Sequence, residues 1–97
     1  MKTLPGTRVG AVQSANESVV KLYGYGTYVG DHVPHRGPMA DIQLPNPKIE
    51  IDEGINKGKV VYGCECWWGD LPHMEKLIGN REVSYVPVPE DDGEDDA

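Results

Sequence analysis

Apolar and polar positions along this chain alternate mostly with a period of two, the spacing of strands with one face inward. The clearest case is Lys48-Ile49-Glu50-Ile51-Asp52, where Ile49 and Ile51 share a face. A turn at Glu53–Gly58 follows, and Lys59 to Trp68 reads as the returning strand of a hairpin, with Val60, Tyr62, Cys64, Cys66 and Trp68 on one face. Earlier in the chain, Arg8–Val12 reads as a short strand and Ser14–Ser18 as a polar turn. Val19–Val29 is a long extended stretch broken by Gly24 and Gly26 and closed by Gly30-Asp31. Glycines inside a strand pattern mark a bend, a bulge or a close approach of another backbone. Simple alternation puts Tyr23 and Tyr25 on one face and Tyr28 on the other.

The period changes once. Leu71, Met74, Leu77 and Ile78 are spaced as one helical stripe. Asp70 is placed as an N-cap, Pro72 fits the first turn and Gly79 suits the C-terminal end. Glu82–Val88 is a last strand. Pro34–Pro47, with four prolines and Gly37, is a loop. The expectation is a mainly β fold with one short helix, arranged as a small, SH3-like, partly open barrel of five strands.

Composition changes this picture in two places. The chain has 97 residues, five Tyr, two Trp and no Phe, so the core must use aromatic rings with a polar tip. The net charge is −7, but residues 90–97 hold six of the sixteen acidic groups. Residues 1–89 are therefore expected to form one nearly neutral domain, and 90–97 a disordered, solubilising acidic tail that a basic partner protein would also attract. No basic stripe exists to meet phosphates, which disfavours direct nucleic-acid binding. No apolar run is long enough for a membrane span, and no apolar segment follows Lys2 as a secretory signal requires. Two cysteines separated by one residue make a poor disulfide framework, so a reducing, cytoplasmic setting is expected.

The chemistry-bearing residues have competing readings. Cys64 and Cys66, with His32, His35 and His73, are the possible metal ligands, but zinc wants four ligands and no second cysteine pair exists. Core packing is the expected role of both thiols, and no metal or cofactor is expected. Trp68 in the core would put Trp67 outside, either covered by a neighbouring element or presented as a stacking platform. The Tyr23–Tyr28 stretch could admit a base or ribose beside its glycines, or simply pack. His32, His35 and Arg36 at the start of the proline loop could meet a phosphate or lie in solvent. No acid–base pair can be placed, so no catalytic residue is assigned.

Four stretches together resemble a group of small phage-encoded proteins: Gly6-x-Arg8-Val9-Gly10-Ala11-Val12, Leu22-x-Gly24-Tyr25-Gly26-x-Tyr28-x-Gly30-Asp31, Asn46-Pro47-Lys48-Ile49 and Gly63-Cys64-Glu65-Cys66-Trp67-Trp68-Gly69. Within that group the likeness is to the Thoeris anti-defence sponges, and it spans Gly6 to Val86 without the acidic tail. It implies an oligomeric, non-enzymatic protein in the host cytoplasm that sequesters a small, anionic cyclic nucleotide signal without cleaving it. On that reading Tyr25 and Trp67 would stack on bases, and Arg36 and Arg81 would meet phosphates. The alternative is an inhibitor whose acidic surface and tail dock on a basic host protein, such as a nucleic-acid-binding defence effector.

Overall fold

The structure, a computed structural model, describes residues 3–34 and 41–89. Its elements are β1 (Arg8–Ala15), β2 (Val19–His32), β3 (Asn46–Ile51), a 3₁₀ turn (Gly54–Asn56), β4 (Val60–Tyr62), β5 (Trp67–Asp70), α1 (Leu71–Ile78) and β6 (Glu82–Tyr85). They form one six-stranded sheet in the order β4-β3-β2-β1-β5, with β6 paired to β2 off this path. All pairings are antiparallel except β2–β6. The fold is mainly β with one short helix, as the periodicity predicts. The expected five-stranded barrel is not formed, because the sheet stays open between its edge strands β4 and β5.

The sixth strand comes from the hairpin. β3 and β4 do pair, with Ile49 opposite Val61. The chain then turns at Tyr62, where the Glu65 amide donates to the Tyr62 carbonyl. β5 leaves its hairpin partner and joins β1 at the far edge. The single returning strand expected over Lys59–Trp68 is therefore two strands; Val61 packs into the core in place of Val60, while Tyr62 is buried and Cys66 and Trp68 pack against the core as expected.

β2 organises the sheet. It spans 14 residues, pairs with β1 along one side, and pairs with β6 and then β3 along the other. Between Leu22 and Gly24 it carries one extra residue, Tyr23, and an offset at Gln13 of β1 restores the register. Gly24 has φ +140°, a conformation an L side chain rarely adopts. A one-residue bulge moves every later side chain to the other face. Tyr23 and Tyr28 accordingly share one cluster, with Val9, Ala11, Ile49, Ile51, Val61 and Val88. Tyr25 turns to the opposite face and packs on Val12, Val20, Leu22 and Met74. This reverses the alternation expected for the three tyrosines. A second irregularity lets β2 continue past Gly30, the expected end, as far as His32.

Both faces of the sheet thus carry apolar clusters. On the first, Trp68 of β5 stacks on Tyr28 with ring centroids 5.1 Å apart. On the second, α1 lies over β1. Met74 is buried against Gly10, where an added Cβ would stand 2.6 Å from the Met74 methyl. Asp70 caps α1 by accepting from the His73 amide at 3.2 Å, as the sequence predicts. Arg36, His35 and the acidic residues 90–97 lie outside the described residues.

Gly26 is where β3 crosses β2 most closely, since an added Cβ would overlap the Glu50 carbonyl. Gly26→Ala is expected to lower stability by at least about 3 kcal/mol, a fall in Tm of roughly 12 °C or more. Thermal unfolding followed by circular dichroism checks this, and an unchanged Tm would contradict the close crossing.

Candidate functional site

The second face is only half covered. In the antiparallel ladder Tyr25 stands opposite Gly10, and Gly10 opposite Gly69. Residues directly opposite share a face, so these three positions form one row across three strands about 10 Å wide. Met74 stands on the middle of that row, and the His73 Cβ and the Trp67 ring lie over Gly69. The helix therefore covers β1, β5 and the Val20–Leu22 part of β2, and leaves Tyr25 beside it.

The uncovered half is a groove of about 330 Å³ lined by Arg8, Tyr25, Glu53, Leu71, Met74, Glu75 and Ile78. Its floor is apolar, from Tyr25 and the exposed flank of the α1 stripe. Tyr85 extends it. This residue pairs with Leu22 in the parallel ladder, so it faces the same side, and it is 48% exposed. The rim is charged. The Arg8 guanidinium sits 3.0 Å from Asp52 and 2.9 Å from Glu53, and the Asp52 hydrogen bond raises its pKa further. Burial raises the Tyr25 pKa, with the Glu53 carboxylate acting in the same direction. The Tyr25 hydroxyl is therefore protonated at neutral pH.

The four residues expected to hold a nucleotide are not gathered here. Tyr25 lines the groove, but Trp67 is on the opposite flank of α1 with its ring laid over Gly69 and 45% exposed. Alternation does place Trp67 outside and Trp68 on the core side. Arg81 follows the helix, and its guanidinium donates to the Leu77 carbonyl at 2.7 Å, so it serves as a C-terminal cap. Arg36 lies outside the described residues.

The cysteines part company as well. Cys66 is packed against the core, and burial pushes its thiol up to about 12, too high for a nucleophile. Cys64, expected in the core, is exposed, because the chain turns out of the strand between Tyr62 and Trp67. No group of three or more His, Cys, Asp or Glu able to hold a metal occurs among the described residues. No helix among them is long and apolar enough to cross a membrane.

Sequence reasoning missed Arg8, Glu53, Glu75 and Tyr85 in the groove. No sequence signal marked them, and Leu71, expected in the buried stripe of the helix, is itself 43% exposed. The chain matches no family model, no curated protein and no solved structure. The likeness to the sponge proteins therefore rests on the residues quoted for it alone.

Two outcomes are expected. Under native conditions a thiol reagent should label Cys64 rapidly and Cys66 only on unfolding, which mass spectrometry of the labelled chain resolves; equal rates would contradict the burial of Cys66. The second concerns the N-cap. His73 Nδ1 lies 2.5 Å from the Asp70 carboxylate, and this hydrogen bond holds the Asp70 pKa below its ordinary value. A lowered pKa means a contribution to stability that is present at neutral pH and is lost as pH falls below about 4. Asp70→Asn, which keeps a capping oxygen but cannot ionise, should unfold at a lower temperature than the native chain at pH 7, with the gap closing in acid. A gap that stays constant with pH would contradict this.

Proposed function

We propose that this chain is a non-catalytic binding protein that holds its partner in the groove between α1 and β2. The observation carrying this reading is the half-covered sheet face: an apolar floor of Tyr25, Leu71, Met74 and Ile78 beneath a rim of charged groups. Concave, mostly apolar sites with a few oriented polar groups are the usual form of binding sites. The titratable groups at the rim favour capture over turnover, since Arg8 is engaged by two carboxylates and is not poised against a reacting group. Capture without chemistry also agrees with the resemblance to phage anti-defence proteins acting in a host cytoplasm.

A second reading has one observation in its favour. Trp67 is an exposed ring at the head of β5, an edge strand of the sheet. Homo-oligomers assembled along that edge would bring copies of Trp67 together, and a cyclic nucleotide could stack between them. In this reading the sponge function belongs to the assembly and not to the groove.

Amide NMR of the ¹⁵N-labelled chain distinguishes the two. With a panel of short peptides and cyclic nucleotides, the groove reading expects shifts concentrated at Tyr25, Leu71, Glu75 and Ile78. Shifts with nucleotide alone, concentrated at Trp67 and Gly69 in a larger assembly, would favour the sponge. Unmoved groove resonances with every ligand would remove the first reading.

A further inference from the structure

The groove presents polar groups that no other side chain of the described residues engages. Among the described residues, no hydrogen bond engages the Tyr25 hydroxyl and no cation pairs with Glu75. Its one guanidinium, Arg8, is already bound to Asp52 and Glu53. An incoming group therefore meets an excess of negative charge around an apolar floor. The floor is also wider than one side chain, because Tyr85 continues it past Tyr25 along the same face.

The geometry points to one occupant: a segment of a partner protein that carries a lysine or arginine flanked by apolar side chains. This rests on the groove reading above and adds what the groove takes. A basic side chain has an apolar stem and a charged head. Its stem would lie along Leu71 and Ile78, and its head would reach Glu75 and the carboxylate side of the Arg8 cluster. The flanking apolar residue would cover Tyr25 and Tyr85. The phosphates of a nucleotide would instead face Glu53 and Glu75, and like charges brought together across an interface oppose binding. The charge of the whole chain acts in the same sense. At −7, with six acidic residues within 90–97, it draws a basic partner from a distance.

The test is fluorescence anisotropy with a labelled peptide of alternating lysine and leucine, titrated with the full chain at moderate salt. The peptide should bind, and Glu75→Gln and Leu71→Ser should each weaken it by about tenfold while circular dichroism shows both variants folded. Removing residues 90–97 should slow association and weaken binding only a few-fold. Equal affinity for the two variants and the native chain would overturn the inference, as would complete loss of binding on removing 90–97, which would place the contact on the tail. A control peptide with glutamine for lysine separates this inference from the reading beneath it. If the control binds the groove equally well, the groove is a binding site but its occupant is not basic. Tighter binding of a cyclic nucleotide than of the peptide in the groove would likewise overturn the basic occupant.

Discussion

The Asn56 side chain sits inside the protein, only 1% exposed, and its hydrogen bonds reach two segments far from it in sequence. Its amide nitrogen donates to the carbonyls of Tyr23 and Val86, both at 2.8 Å, and its oxygen accepts from the Val88 amide at 3.0 Å. Tyr23 is the extra residue of the β2 bulge, and Val86–Val88 is the segment that follows β6 across the first core cluster. A buried amide is tolerated only where its donors and acceptors are met, and here it meets backbone groups that lie outside the regular ladder. The bulge, the 3₁₀ turn and the C-terminal segment are therefore one connected unit.

The open groove follows from that unit. The bulge sends Tyr25 to the helix side of the sheet, while Tyr23 and Tyr28 fill the opposite side. β6 is held alongside the first half of β2, which brings Tyr85 onto the helix side too. With only eight residues, α1 packs on β1, β5 and the Val20–Leu22 part of β2 and leaves an open groove beside Tyr25. The two tyrosines beyond it remain partly open. The hydrophobic face of the sheet is thus wider than the helix that covers it, and the surplus forms the floor of the groove.

Local chemistry was legible in the sequence where it decided the outcome. Asp70, Pro72 and Gly79 frame a helix that forms as their positions predict, and the alternation through Ile49 and Ile51 sets the core face of β3. What strict alternation cannot carry is a change of phase. The extra residue at Tyr23 reverses the facing of Tyr25 and Tyr28, and the glycines nearby signalled an irregularity without giving its sense. The pattern through Tyr62, Cys64 and Cys66 continued as a strand in sequence, but the backbone turns there and β5 pairs with β1 instead. The groove was the least legible feature. Arg8, Glu53, Glu75 and Tyr85 come from four separate parts of the chain, and only the paired geometry of the sheet brings them together. Arg81, chosen for its charge, proved to be occupied by a helix carbonyl, a local partner that charge alone does not reveal.

Hydrogen exchange in Asn56→Ala, compared with the native chain by amide NMR, tests the dependence on Asn56 most directly. The substitution leaves three backbone groups without their partner and should cost on the order of 3 kcal/mol. The account predicts that amides of β6 and of residues 86–88 lose protection together with those flanking Tyr23 and Tyr25, while β3 and β4 exchange more nearly as before. Loss of protection confined to the 3₁₀ turn, with β6 and the β2 bulge unchanged, would contradict it.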